Sequence, residues 1–282
     1  MPSLRELCQQ YNITFKKSLG QNLMLDENIN RLMVDAAALT KDDDVLEVGA
    51  GLGALTDLLH KEAGRVLAVE IDRAFMPCLE DRFGAIDNVV LFRGDVLNHE
   101  LRQLFDEFLP GGTTFKVVAN LPYYITAPLL FEFWESDVHF SRIVVMLQEE
   151  VALRLVAPVG NTDYSSLSVA ARYYGHLDII RKVPRTCFRP EPKVDSCIVR
   201  MRRHDTPPYL DLERAYLMGL VRAAFSQRRK TLRNSLGKSP FFAGKKELVS
   251  EIIEKAGVDP GARPQTLALE QFAAIARELR AR

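Results

Sequence analysis

The sequence predicts an α/β protein in which a parallel β-sheet is wrapped by helices and followed by a small all-helical C-terminal domain. Two patterns carry this prediction. Between residues 44 and 147, short apolar runs typical of strands alternate with helical patterns, and such βαβ alternation builds a parallel sheet. Beyond residue 208 the apolar residues recur at helical spacing throughout.

The predicted elements begin with a helix over 29–38, for which Asp26 is the expected N-cap. Strands follow over 44–48, 66–69, 89–92, 115–119 and 143–147, with helices through 55–60, 75–83, 101–108 and 129–134 between them. Two further strands, 179–183 and 196–201, are joined by a Pro-rich loop, and the C-terminal helices are predicted over 212–225, 228–236, 245–256 and 268–279.

The polar segment 204–208 contains two prolines after the last strand, so we predict a domain boundary there. Residues 1–204 then form the catalytic domain and residues 205–282 the helical domain. The chain has no net charge, but the segment from His204 to Arg282 carries 14 basic and 9 acidic residues. Such an excess is typical of a local phosphate-binding patch.

Several protein classes are disfavoured by composition. No stretch of 18 apolar residues occurs, which argues against a membrane span, and the N-terminus has no basic-then-apolar signal pattern. The four cysteines are scattered without a C-x-x-C pair, which argues against a metal site or a disulfide framework. We therefore expect a cytoplasmic protein without a metal or a membrane partner.

The most informative segment is Asn120-Leu121-Pro122-Tyr123, at the end of the predicted strand 115–119. Pro122 has no N–H to give to a sheet, so the strand must stop there. The Asn120 amide oxygen and the Leu121 carbonyl are two acceptors beside the Tyr123 ring, which suits an exocyclic amino group such as adenine N6. An ordinary strand-ending turn is the alternative.

A glycine-rich loop, Gly49-Ala50-Gly51-Leu52-Gly53-Ala54, follows the first strand of the alternation and predicts a close backbone approach to a ligand. Glu70 ends the next strand and is suited to ribose hydroxyls. Both features fit a dinucleotide site as well as an S-adenosylmethionine site. Asp95, after the third strand, favours the latter, because its carboxylate is suited to the adenine amino group. Solvated carboxylates at strand ends are the alternative for Glu70 and Asp95.

The motifs together resemble the ribosomal RNA adenine N6-dimethyltransferase family, in particular its members that modify small-subunit rRNA. The resemblance runs from the first twenty residues into the C-terminal region. It rests on the segments 17–22, 46–53, 69–72, 94–96, 120–123, 188–196 and 225–234.

The resemblance implies a Rossmann-like methyltransferase fold with S-adenosylmethionine as cofactor. The expected cofactor-binding residues are Gln21, Asn22, Met24, Gly49, Gly51, Glu70, Ile71, Asp95, Val96 and Asn120. The expected catalytic residues are Asn120, Leu121, Pro122 and Tyr123. Phe188 resembles a second aromatic wall that would sandwich the target base with Tyr123; a core aromatic beside a Pro-rich turn is the alternative.

A basic cluster follows in the C-terminal domain. Between Arg222 and Lys238 there are six basic and no acidic residues, and at helical spacing Arg222, Arg229 and Arg233 share one face. We expect RNA contacts from Arg222, Arg228, Arg229, Lys230 and Arg233, with a solvated basic face as the alternative.

The resulting hypothesis is dimethylation of two adjacent adenosines near the 3′ end of 16S rRNA in a partly assembled small subunit, by a monomer. Two relatives of the same scaffold stay open as alternatives: an enzyme that dimethylates large-subunit rRNA and confers macrolide resistance, and a non-catalytic assembly or transcription factor. An NAD-dependent dehydrogenase survives only if the glycine loop is considered alone.

Overall fold

The computed structural model describes residues 4–16, 19–227, 229–243 and 246–281. The chain forms two compact units. The first comprises Met1–Ala152 and Asp178–Arg203, and the second comprises Leu153–Leu177 and His204–Arg282. The division after Arg203 lies one residue before the predicted boundary. The segment Leu153–Leu177 differs from the prediction, because its helix packs on helices of the C-terminal segment.

The first unit contains most of a seven-stranded sheet whose strands are β2 (Asp44–Val48), β3 (Arg65–Glu70), β4 (Val89–Arg93), β5 (Phe115–Asn120), β6 (Phe140–Gln148), β7 (Gly175–Val183), which begins in the second unit, and β9 (Ser196–Arg203). Their order is β4-β3-β2-β5-β6-β9-β7. The first five strands in this order are parallel to one another, and β9 runs antiparallel to β6. A small second sheet pairs β1 (Leu23–Met24) with β8 (Phe188–Arg189).

The helices of the first unit are α1 (Leu4–Gln10), α2 (Glu27–Ala37), α3 (Thr56–Glu62), α4 (Met76–Phe83), α5 (Leu101–Phe108), α6 (Thr126–Glu135) and α7 (Glu149–Val156), which ends in the second unit. The side chain of Asp26 accepts a hydrogen bond from the Asn28 N–H, which confirms it as the N-cap of α2. Helices α2 and α3 pack on the sheet, and their apolar faces form one core with the buried strands.

The second unit is helical, with α8 (Ser166–Tyr174), α9 (Arg214–Phe225), α10 (Leu232–Leu236), α11 (Val249–Lys255) and α12 (Leu269–Arg280). Helix α9 contacts α8, α10 and α12. The prediction of a helix over 228–236 is wrong in its first half, because α10 begins only at Leu232. Thr231, immediately before it, is extended, and the Lys230 N–H is bonded to the Gln227 carbonyl in a turn.

The strand order also fixes where a ligand binds. The chain runs from β2 to β3 and β4 on one side of the sheet, and continues through β5 and β6 on the other. A crevice opens at such a reversal, outside the carboxyl ends of the strands, and open α/β sheets bind ligands there. The loops after β2 and β5 are therefore the first place to look for a site.

Candidate active site

A cleft of about 520 Å³ lies at the carboxyl ends of β2, β3 and β5. The cleft is lined by Leu19, Gly20, Gln21, Asn22, Leu23, Gly49, Gly51, Glu70, Ile71, Phe75, Asn120, Leu121, Pro122 and Tyr123. It therefore brings together the N-terminal segment, the glycine loop and the tetrapeptide that are far apart in sequence.

The glycine loop turns through left-handed backbone conformations, with φ of 80° at Gly49 and 59° at Gly51. At Gly51 a Cβ atom would lie 2.8 Å from Leu23 Cδ2, closer than real contacts allow. The Gly51 N–H donates to Glu70 Oε2 over 2.7 Å. The φ angle therefore favours glycine at this position, and a larger side chain would also require Leu23 to shift.

Glu70 is nearly fully buried at the end of β3 and joins two loops. Besides the bond from Gly51, its Oε1 accepts from the Asp72 N–H over 2.8 Å. Burial raises the pKa of Glu70, and the backbone hydrogen bonds from Asp72 and Gly51 oppose that rise. A carboxyl oxygen has more than one lone pair, so the group can hold these loops and still accept from a ligand hydroxyl.

Asp72, which was not among the predicted site residues, fastens the N-terminal segment to the cleft. Its Oδ1 accepts from Lys16 Nζ and its Oδ2 from Gln21 Nε2, each over 2.7 Å. Burial would raise the pKa of Asp72, but hydrogen bonds from Lys16, the Ala74 N–H and Gln21 outweigh it and lower the pKa. A signal was present, because a carboxylate beside a buried strand needs partners. Of the motif 17–22, residues 17 and 18 lie outside the described part of the chain.

The tetrapeptide leaves β5 in a fixed geometry. Asn120 Nδ2 donates to the Asn22 carbonyl over 3.1 Å, and the Leu121 N–H donates to the Met146 carbonyl of β6 over 3.1 Å. Because the amide nitrogen of Asn120 is bonded to the N-terminal segment, its Oδ1 is the atom left to accept from a ligand. Asn120, Leu121 and Tyr123 therefore line one cleft.

Tyr123 is half-buried, and its hydroxyl lies 2.7 Å from Ser196 Oγ at the start of β9. Burial raises the pKa of the Tyr123 phenol, and the hydrogen bond to Ser196 opposes that rise. Tyr124, the next residue, is exposed beside Gly20. Ser196 was part of a motif in the sequence, but its contact with Tyr123 is across 73 positions and no local pattern predicts it.

A second cavity, of about 290 Å³, is lined by Val48, Gly49, Val69, Ile71, Gly94, Asp95, Val96, Pro122, Tyr124 and Ile125. Apolar side chains dominate this lining, and Asp95 is its carboxylate. Asp95 Oδ1 accepts from the Leu97 N–H over 3.0 Å, which caps a short 3₁₀ turn over Val96–Asn98. An apolar slot with one carboxylate suits a planar heterocycle that carries an amino group.

A third cavity, of about 380 Å³, borders Gly49 and Asn120 and is also lined by Met24, Asn30 and Glu47. Met24 is buried in β1, opposite Phe188. Glu47 is 1 % exposed near the end of β2 and accepts a hydrogen bond of 2.6 Å from Thr56 Oγ1. Burial raises the pKa of Glu47 to about 8.

The raised pKa of Glu47 predicts a pH-dependent stability. The ordinary pKa is 4.5, so between pH 4.5 and about 8 the folded chain holds a proton that the unfolded chain has released. The stabilisation that Glu47 gives the folded state is complete below pH 4.5. It falls as the pH rises from 4.5 to about 8, by up to about 1.4 kcal/mol per pH unit. The variant Glu47→Gln keeps an acceptor for Thr56 and cannot ionise. Urea denaturation from pH 5 to 9 should show a flatter stability profile for the variant; a profile parallel to wild type would contradict an uncharged Glu47.

The structure does not bring Phe188 into the cleft. Its side chain is 0 % exposed and packs in the core of the first unit, with Met24, Val183 and Ile198. Phe188 offers no free ring face here, as the alternative of a core aromatic implied, and the sandwich of Tyr123 and Phe188 around a base stays a prediction. The physical reason is the β1–β8 pairing, which buries Phe188 opposite Met24.

The basic residues expected to bind RNA lie in the second unit. Arg222 is exposed near the end of α9, Arg229 and Lys230 are exposed in the turn that follows, and Arg233 is exposed in α10. Arg228 lies outside the described residues. The helical face predicted for Arg222, Arg229 and Arg233 is wrong, because Arg229 is in a turn between two helices.

The described residues contain neither a candidate membrane-spanning helix nor a candidate metal-binding group. Across them, no helix is long and apolar enough to cross a membrane. Over the same residues, no group of three or more His, Cys, Asp or Glu side chains is arranged to hold a metal ion.

Comparison with known proteins gives a consistent result. Residues 12–280 match the family described as ribosomal RNA adenine dimethylase. A protein from Geobacillus sp. (strain WCH70) named ribosomal RNA small subunit methyltransferase A is 41% identical over 276 residues, which cover 98% of this chain and 95% of that protein. A protein of the same name from Bacillus cytotoxicus is 40% identical, again over 98% of this chain.

Two solved structures are similar over most of their length. The crystal structure of a dimethyladenosine transferase from Plasmodium falciparum has a TM-score of 0.75 and 25% identity, covering 90% of this chain and 95% of that one. The crystal structure of ErmE, a 23S rRNA methyltransferase, has a TM-score of 0.67 and 28% identity, covering 92% of this chain and 99% of that one.

Proposed function

Because this chain belongs to the ribosomal RNA adenine dimethylase family, we propose that it transfers methyl groups from S-adenosylmethionine to adenine N6 in small-subunit rRNA. The observation that carries the proposal is that Asn120, Leu121 and Tyr123 line one cleft together with the glycine loop and Glu70. Neither the tetrapeptide nor the glycine loop with Glu70 is specific for this reaction alone. Together they provide acceptors for an amine beside a cleft suited to a nucleoside, and methyl transfer to adenine N6 needs both.

The side chains fit the proposed cofactor. An adenosyl group needs a partner for its ribose hydroxyls and one for its adenine amino group, and Glu70 and Asp95 line adjoining cavities where they can accept from these groups. Gly49, which borders both cavities, leaves room for a close approach because it has no side chain. Asn22 and Gln21 border the cleft from the N-terminal segment and suit the amino-acid end. Ile71 lines both cavities, which supports a ligand that extends through both of them.

Bound S-adenosylmethionine would supply a methyl group that is electrophilic because it is attached to a sulfonium. The chain's own part is orientation and electrostatics. Asn120 Oδ1 and the Leu121 carbonyl accept from the two N–H bonds of the target amine, so that its lone pair points away from them and toward the methyl group. This opposes delocalisation of the lone pair into the base, which otherwise makes the amine a poor nucleophile.

Tyr123 completes the arrangement. Its ring stacks on the target base and attracts the positive charge that develops on the nitrogen, an effect of roughly 0.5–2 kcal/mol. The base must leave its stack in the RNA to reach this position. The amine becomes acidic only as the methyl group transfers, so no strong base is needed and the proton is released to water.

Small-subunit rRNA is favoured over large-subunit rRNA as the substrate. The relatives with small-subunit names are about 40% identical over nearly the whole chain, whereas the 23S rRNA enzyme ErmE is 28% identical. A partly assembled small subunit, a monomeric state and a cytoplasmic location belong to the same proposal. The exposed basic residues around the turn after α9 support RNA binding by the second unit.

If Asp95 accepts from the adenine amino group of the cofactor, its replacement should weaken cofactor binding, whereas replacement of an unrelated aspartate should not. Asp95→Asn replaces an acceptor by an amide that presents a donor, and we expect S-adenosylmethionine affinity to fall by roughly tenfold, as for one lost charged hydrogen bond. Isothermal titration calorimetry with S-adenosylhomocysteine, which carries the same adenosyl group, measures the loss of affinity. Asp87→Asn, at an exposed aspartate before β4, is the matched control and should leave affinity unchanged. Equal affinity for wild type and Asp95→Asn would contradict the assignment.

The function is tested by incubating the protein with labelled S-adenosylmethionine and ribosomal particles that lack adenine methylation. Small and large subunits are assayed separately, and nucleosides are then analysed. We expect dimethyladenosine in small-subunit rRNA. Label confined to the large subunit would overturn the choice of substrate, and cofactor binding without label in either subunit would overturn the enzymatic function.

A further inference from the structure

Ser196 is the buried partner of the aromatic ring at the proposed reaction centre. Its Oγ lies 2.7 Å from the Tyr123 hydroxyl, and the residue itself is 0 % exposed. Tyr123, by contrast, is only half-buried and lines the cleft. One end of the tyrosine is thus fixed in the protein interior while its ring borders the space for a ligand.

The position of Ser196 is set by the sheet. It is the first residue of β9, and it pairs with Gln148, the last residue of β6, in the antiparallel ladder. The ladder continues for one more bond, because the Glu149 N–H donates to the Asp195 carbonyl over 3.0 Å. Ser196 is therefore held by strand pairing on the side that faces β6.

The same strand also positions the tetrapeptide. On its other side, β6 is parallel to β5, and the Met146 carbonyl of β6 accepts from the Leu121 N–H. Strand β6 therefore helps to position the Leu121 backbone directly. Through its pairing with β9, it also helps to position the Tyr123 hydroxyl. The Leu121 backbone and the Tyr123 hydroxyl are thus both bonded to neighbouring strands of the sheet.

We propose that Ser196 is a positioning residue for base stacking: its hydroxyl holds Tyr123 so that the ring presents its face to the target base. The inference rests on the proposed function and goes beyond it, because it assigns a role to a side chain that touches neither the cofactor nor the base. Stacking depends on ring offset and tilt, and small misplacements of reacting groups reduce rates strongly. A tyrosine without this bond can rotate about its side-chain torsions and spends less time in the stacking orientation.

The hydrogen bond could instead serve only to satisfy a buried serine hydroxyl, and the two roles predict different measurements. A purely structural bond affects the unfolding midpoint and leaves turnover per folded molecule unchanged. A positioning bond affects turnover with rRNA, while affinity for S-adenosylhomocysteine stays the same because Ser196 does not line the cavities proposed for the cofactor.

The test is a double-mutant cycle of Ser196→Ala and Tyr123→Phe, assayed by methyl transfer to unmethylated small subunits. We expect each single variant to lower kcat by about three- to tenfold, the range for one lost hydrogen bond. The double variant should be no slower than the slower single variant, because both substitutions remove the same bond. Cofactor affinity and the unfolding midpoint should remain close to those of wild type.

Ser141→Ala is the matched control. Ser141 is also a strand serine, at the opposite end of β6, where its hydroxyl donates to the Phe115 carbonyl over 3.3 Å. This control should transfer methyl groups at the wild-type rate. Wild-type turnover in Ser196→Ala would overturn the inference, as would multiplying effects that reach about ten- to hundredfold in the double variant. Failure of wild type itself to methylate either subunit is a separate result, which overturns the proposed function and this inference with it.

Discussion

Replacing Asn120 by Ala should abolish methyl transfer while leaving the protein folded. The substitution removes the amide oxygen that we propose accepts from the target amine, and loss of one preorganised polar group at a reaction centre typically costs about 10²–10³ in kcat. The fold should tolerate the change, because the only protein bond found for this side chain within the described residues, from Nδ2 to the Asn22 carbonyl, contributes roughly 1 kcal/mol. Single-turnover transfer to unmethylated small subunits, with thermal unfolding in parallel, measures both effects.

Two further variants define the role of Asn120. Asn120→Asp keeps an acceptor oxygen but cannot donate to Asn22, so we expect activity between wild type and Asn120→Ala. Asn28→Ala changes an exposed asparagine near the start of α2 and should behave as wild type. If Asn120→Ala turned over at a near-normal rate, the amine-orienting role would have to be abandoned.

The second large effect is expected from the basic residues around the turn between α9 and α10. Combined replacement of Arg229, Lys230 and Arg233 by Ala should weaken rRNA binding at least tenfold at physiological salt. It should also make the plot of log affinity against log salt concentration shallower by about 2, since each phosphate contact contributes roughly 0.7–0.9 to the slope. At saturating small subunits kcat should be retained, because the role proposed for these residues is RNA binding and they do not line the cleft.

The control for this triple variant removes the same charge from the first unit. Arg31, Lys61 and Arg102 are each ion-paired on helix surfaces, with Glu62, Asp57 and Asp106 respectively. Their replacement by Ala should leave the salt slope almost unchanged. An identical affinity and slope for wild type and the Arg229, Lys230 and Arg233 variant would show that the cluster is only a solvated surface.

The sequence predicted the parallel strands and the residues that follow them more accurately than the C-terminal helices. Strands such as Asp44–Val48 and Phe115–Asn120 are buried, so their apolar runs end where the sheet ends, and the polar residues next in sequence lie at its edge. The helix predicted over 228–236 extended too far because Arg229 and Lys230 have good helix propensity. In the structure the Leu232 N–H and the Arg233 N–H instead bond to the Ala262 and Pro260 carbonyls. A distant loop thus decides where α10 begins.

By itself, the sequence determined the α/β class, the glycine loop, the strand-end positions of the carboxylates Glu70 and Asp95 and the position of the tetrapeptide that begins at Asn120. These follow from local patterns, because strand burial and backbone turns depend mainly on neighbouring residues. Only the tertiary structure decided that Asp72 fastens the N-terminal segment, that Ser196 holds Tyr123 and that Phe188 is buried. Each of these depends on contacts between residues that lie far apart in the chain, and strand order and register, which bring such residues together, are properties of the whole sheet.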